Sequence, residues 1–139
     1  MAARGSRKAE NVLWRHTTYY LALSEEIASD SGGQGTRLQE LEAEQSNFRG
    51  ALGWALGTER VEPEEVTAER ATLGLRLAVS LGRGRFWAAN SLSEGLRWLE
   101  MRLARSGDAL PDPVLAAALN EAGWIATVQG DQDPPGRQG

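Results

Sequence analysis

Apolar residues return along most of this chain at alternating steps of three and four, the spacing that lays them on one side of an α-helix. The first such stripe, Ala9, Leu13, His16, Tyr20, Leu23 and Ile27, predicts a helix from about Arg7 to Ser29. The loop-forming run Asp30-Ser31-Gly32-Gly33-Gln34-Gly35 stops it. Thr36, with Gln39 three residues on, has the form of a capping box. The helix it opens carries Leu38, Leu41, Gln45, Phe48, Leu52 and Ala55 and ends at Gly57. Two long helices with matching stripes and a short loop predict an antiparallel hairpin over residues 7–57.

An acidic linker, 58–66, follows, and the third helix starts at Pro63 or at Thr67. Its centre, Leu73-Gly74-Leu75-Arg76-Leu77-Ala78-Val79-Ser80-Leu81, is apolar on nearly every side, so it is expected to be the most buried helix. Gly82, Gly84 and Asn90 loosen its end. A fourth helix begins at Ser91 or Ser93 with the stripe Leu92, Leu96, Leu99 and Leu103, widened by Trp98 and Met101. Asp112-Pro113 opens a fifth, with an acidic N-cap and Pro in the first turn, carrying Leu115, Leu119, Ala122 and Ala126 with Trp124 on the next row. Residues 1–6 are read as a disordered start. Residues 131–139 hold no aliphatic or aromatic side chain and are read as a disordered tail.

Residues 67–130 invite a repeat reading. Phe86-Trp87-Ala88-Ala89-Asn90 stands 40 residues before Ala126-Thr127-Val128-Gln129-Gly130, and each closes a helix with a small turn residue. Gly95, five past the first turn, would let two helices approach closely, as in a tetratricopeptide-like unit. Pro134-Pro135 forbid a matching helix in the second copy, so helix five has no following partner. Its exposed face is expected to make the isolated chain self-associate or stay partly molten. From spacing alone, a repeat pair and an unrelated helical bundle are both open.

Composition sharpens the class. The chain has 20 Ala and 18 Leu against 2 Ile and 6 Val, which favours an all-α fold of about five helices. With no cysteine, it has no disulfide scaffold, thiolate metal site or cysteine nucleophile, and one His excludes a histidine cluster. The net charge of −4 argues against non-specific nucleic-acid binding by the whole chain. No signal peptide or membrane-length apolar run is present, so a cytoplasmic location is expected.

Candidate chemistry is sparse. There is no G-x-x-x-x-G-K-[ST], the only lysine is Lys8, and Gly82-Arg83-Gly84-Arg85 reads as a turn more readily than as a phosphate cradle, so no nucleotide or other cofactor is expected. His16 lies on an apolar stripe and reads as a hydrogen-bonded interface residue. Glu40, Glu42 and Glu44 read as a solvated surface rather than a metal site. Asn47 either fixes the hairpin register through a cross-helix hydrogen bond or faces solvent. Arg83, Arg85, Arg97, Arg102 and Arg105 give 81–105 a net charge of +3. They form either a nucleic-acid contact, for which no recognition motif is present, or a basic surface paired with Glu59, Glu62, Glu64, Glu65 and Glu69. Trp14, Trp54 and Trp98 read as packing residues. Trp87 and Trp124, near helix ends with Asn90, are core residues or the lining of an interaction groove.

Three blocks stand together in order: His16-Thr17-Thr18-Tyr19-Tyr20-Leu21-Ala22-Leu23-Ser24-Glu25, the run Leu38 to Leu56, and Phe86-Trp87 with Leu92-Ser93-Glu94-Gly95-Leu96-Arg97-Trp98-Leu99-Glu100. Ala122-Gly123-Trp124 and Gln129-Gly130-Asp131 trail them. Together they resemble the helical region of STAND-class ATPase regulators, the LuxR-type bacterial transcriptional regulators among them. The resemblance covers about Leu13 to Asp131. It implies a non-catalytic sensor and protein-interaction arm beside a P-loop ATPase, leading into tetratricopeptide-like repeats. Nothing family-like follows Asp131, which fits a fragment of a longer array. The implied partners are other domains of a regulator or a peptide, with no membrane and no direct nucleic-acid contact. The other reading is a stand-alone helical ligand-binding or DNA-associated regulator.

Overall fold

Seven helices and no strand occupy the described residues: α1 (Ala3–Ser29), α2 (Gln34–Ala43), α3 (Gln45–Leu56), α4 (Ala68–Arg83), α5 (Phe86–Asn90), α6 (Leu92–Ser106) and α7 (Asp112–Gln132). The computed structural model describes residues 3–30, 34–57, 67–106 and 110–132, with side chains over 9–30, 37–57, 67–103 and 110–130. The linker 58–66, most of the tail and the side chain of Arg105 lie outside them. The all-α class is as expected. The count exceeds five because a bend at Glu44 and a turn at Gly84-Arg85 each divide a helix read as continuous.

Helix α4 is the hub. It packs against α1, α3, α5, α6 and α7, and its buried residues, among them Ala71, Leu75, Leu77, Ala78, Val79 and Leu81, cover most of its circumference, leaving a narrow exposed strip with Glu69, Arg76 and Arg83. Thr67 is its N-cap, accepting the Arg70 N–H at 3.1 Å. Of the two starts offered by the sequence, Thr67 is the cap seen, its hydroxyl satisfying one of the orphan donors of the first turn, and Pro63 lies outside the described residues. At Gly74 the α3 and α4 backbones come so close that a Cβ there would stand 2.5 Å from Leu56.

The α1–α4 contact departs from the expected stripe. Thr17, Leu21, Ser24 and Ile27 are buried, His16, Tyr20 and Leu23 are half-buried, and Ala9 and Leu13 are exposed. Small polar residues take part in the seam because they let the helices meet closely. Ser24 and Ser80 hydrogen-bond across it, with the Leu21 and Leu77 carbonyls also within reach of the hydroxyls. Helix α1 also begins at Ala3, so residues 3–6, expected to be disordered, are helical; once a helix is nucleated, extension over residues with no proline costs little.

Glu44 leaves helical geometry (φ −107°, ψ 18°), and its N–H bonds the Leu41 carbonyl three residues back, which tightens the turn between α2 and α3. Helix α3 ends at Gly57, whose φ of 91° favours glycine. Two buried arginines meet its last carbonyls. Arg70 of α4 donates to the Trp54 carbonyl and stacks over the Trp54 ring at 4.3 Å, and Arg102 of α6 donates to the Leu56 carbonyl at 3.1 Å. Cationic donors belong at a helix C-terminus, where carbonyls lack partners and the dipole is negative. Trp14 closes the cluster edge-on to Trp54 at 5.3 Å.

The sequence suggested that Gly82 and Gly84 loosen the third helix; in the structure the chain turns sharply at Gly84-Arg85 and starts a separate short helix, α5. From α1 a line of edge-to-face rings, Tyr20–Phe48–Phe86–Trp87, runs through α3 into α5 with centroid spacings of 5.4, 6.3 and 5.1 Å. Trp87 is fully buried and its Nε1–H donates to the Ala78 carbonyl at 2.9 Å. Gly95 of α6 lies flat against this indole, with no space for a Cβ. The close approach expected of Gly95 is therefore present, made to a side chain of α5. Ser91 caps α6 by accepting the Glu94 N–H at 3.1 Å. Glu94 then bridges to α3 through Arg49, at 2.9 Å, and that guanidinium, with burial opposing it, holds the Glu94 carboxyl below its usual range. Helix α7 opens one residue earlier than the Asp112 cap predicted: Asp112 is itself the first helical residue, with the Leu115 N–H bonding the Pro111 carbonyl, and the helix continues through Gln132, past the expected fade at Gln129-Gly130.

Candidate functional site

Helix α7 packs Ala118 and Ile125 inward against α4 and α6. Its other side leaves Leu119 54% and Trp124 48% exposed. Facing it are the end of α4, the turn and α5. Between them runs an open groove of about 1030 Å³, lined by Arg83 and Arg85 on one wall, by Leu119 and Trp124 on the other, and by Glu121 close to Gly82.

The local backbone places these groups. Arg85 sits at φ 72°, the left-handed region, as the only positive-φ residue other than glycine among the described residues. That conformation costs about 1 kcal/mol or more for a residue with a Cβ. Neither Arg83 nor Arg85 forms an ion pair with a described residue. The acidic linker matched to them by charge lies outside the described residues.

Glu121 is buried, and a Cβ on Gly82 would collide with its carboxylate. Burial pushes its carboxyl above the usual range, with Arg83 acting in the opposite direction. An acid whose folded pKa is raised lends its full stability below the unfolded pKa and loses it as pH climbs through the folded value. Glu121→Gln is accordingly expected to raise the thermal midpoint at pH 7, by on the order of 1 kcal/mol of stability. The gain should vanish near pH 4, where the parent carboxyl is itself neutral. Melting curves of both proteins across that range check this, and a less stable variant at pH 7 refutes it.

The other sequence-picked residues distribute differently. Trp87 does not line a groove: its ring is large and apolar enough to be the centre of the core, and its one polar atom is satisfied there. Asn90 is exposed and donates to the Phe86 carbonyl and to Glu42. Trp124 is in the groove. Of the basic set, Arg83 and Arg85 share the groove, and Arg97 lines a separate shallow concavity with Glu100 and Gln129. Arg102 is not on the surface, because the bare carbonyl end of α3 draws it in. Leu119 and Glu121 were missed; their neighbours Gly123 and Trp124 on α7 were the available signal.

On the opposite side, His16 Nε2 stands 3.4 Å from Asn47 Oδ1, Asn47 donates to Glu44 at 2.8 Å, and Tyr20 donates to the same carboxylate at 3.1 Å. Asn47 thus takes the cross-helix role of its two alternatives. Partial burial, and then the bonded Glu44, push the Tyr20 hydroxyl above its ordinary pKa. Among the described residues no group of three His, Asp or Glu side chains could hold a metal ion, and no helix is long and apolar enough to cross a membrane.

Comparison with protein-family models, with curated proteins and with solved structures finds no match.

Proposed function

We propose that this chain is a non-catalytic protein-interaction segment, acting as the sensor arm of a STAND-type, ATP-dependent transcriptional regulator through the α5–α7 groove. The observation that carries the interaction reading is the groove itself. It pairs an exposed Trp and Leu with two arginines that form no ion pair with a described residue, one of them kept in a backbone conformation better suited to glycine. Exposed Trp and Arg are the residue types that dominate binding energy at protein interfaces. The STAND assignment is supported by the three sequence blocks, in their order.

A photo-crosslinking amino acid at position 124, in the protein expressed in its native host, tests both parts. The expected product is a covalent adduct with a polypeptide that carries a P-loop ATPase. Adducts with nucleic acid alone, or none above the level of the same probe placed at exposed Thr18, would overturn the reading.

A further inference from the structure

A second concavity shares only Arg83 with that groove. It lies where α1, α4 and the start of α7 meet, encloses about 380 Å³, and has apolar walls from Ala28, Val79, Val114 and Ala117. That volume lies in the range of small-molecule sites. Two arginines of α4, seven residues apart and so on one face of the helix, stand along it. Arg76 is held by both oxygens of Glu25, at 2.8 and 3.1 Å, so its charge is compensated. Arg83 has no ion pair with a described residue. The cleft therefore presents an apolar bed, one ion-paired cation, and a second cation, Arg83, that is in the field of Glu121 but forms no ion pair with a described residue.

We propose that this cleft binds a small amphipathic carboxylate, its head on Arg83 and its apolar body against Val79, Val114 and Ala117. One cation without an ion pair among the described residues matches at most a single negative charge, whereas a phosphate monoester would bring nearly two at neutral pH. At ordinary packing density the volume accommodates a body of about 10–15 non-hydrogen atoms. Helices α1 and α7 have few contacts of their own, so a molecule in the cleft would bridge them and steady the helix that carries Trp124. The cleft shares Arg83 with the groove but none of its apolar walls, so it can bind an anion whether or not the groove binds a protein.

Octanoate, with octanol and octylamine as neutral and cationic controls, is the probe. It is titrated into the full chain and followed by calorimetry and by the thermal midpoint. Octanoate is expected to bind saturably with a Kd in the range of about 10 µM to 1 mM and to raise the midpoint. Arg83→Gln, at an exposed position that leaves the core intact, should weaken binding about tenfold or more. Arg85→Gln should leave it unchanged, since Arg85 lines the groove and not the cleft. Ala117→Phe, which fills the cleft, should abolish binding in a protein whose melting shows that it still folds. If it does not fold, the comparison of Arg83→Gln with Arg85→Gln decides. No saturable octanoate binding by about 10 mM, octanol binding as well as octanoate, or equal losses in the two arginine variants overturns the proposal.

Discussion

Trp87→Ala is expected to cost about 3–5 kcal/mol, enough to consume much of the stability of a domain this size. The indole is fully buried and packs edge-on to Phe86, while Gly95 presses on its face. Removing it opens a cavity where α4, α5 and α6 meet and leaves the Ala78 carbonyl without its side-chain donor. Trp87→Phe keeps most of the ring and loses the donor, so about 1–2 kcal/mol is expected. Trp124→Ala, at a half-exposed ring, should stay within about 0.5 kcal/mol of the parent. Urea unfolding followed by far-ultraviolet circular dichroism orders the three. A Trp87→Ala protein within about 1 kcal/mol of the parent would show that the indole is not the keystone described.

The second large effect is at Gly74. Valine there is expected to destabilise by about 3 kcal/mol or more, because its Cβ would stand 2.5 Å from Leu56 and 2.9 Å from the Ala55 methyl, both buried. Glycine is the poorest ordinary helix former, so propensity alone predicts the opposite sign. Pairing Gly74→Val with Leu56→Ala separates the two accounts. The truncation makes room, and the double variant should be more stable than the sum of the single losses by about 1–3 kcal/mol. Strict additivity would show that the helices are not in the contact described.

What was legible in the sequence follows from how strongly each signal is tied to burial. The apolar run around Leu75 to Leu81 has little polar side to expose beyond Arg76, so the central place of α4 could be read directly. Ser91 before α6 announced its boundary, because a cap hydroxyl does its work within one turn. The α1 seam was misread because a hydrophobic scale discards Thr17 and Ser24, and these are buried for their small size. The split after Gly84 was not legible either: an arginine in left-handed conformation gives no warning in composition. Of the residues singled out in the sequence, Trp124, Arg83 and Arg85 were found lining the groove. Trp87 and Arg102 were not, because ring or charge alone does not reveal whether the fold turns the side chain inward. Arg102 could have been found by asking which donors meet the carbonyls left bare where α3 stops at Gly57.

Those donors also respond to acid differently from the ion pair between α3 and α6. Arg70 and Arg102 bind main-chain oxygens, and neither partner titrates at low pH. The strut between α3 and α6 depends on the Glu94 carboxylate, whose depressed pKa contributes stability that is lost as pH falls through it. Acid therefore releases the Arg49–Glu94 strut, whereas the hydrogen bonds from Arg70 and Arg102 to main-chain oxygens at the end of α3 involve no carboxylate.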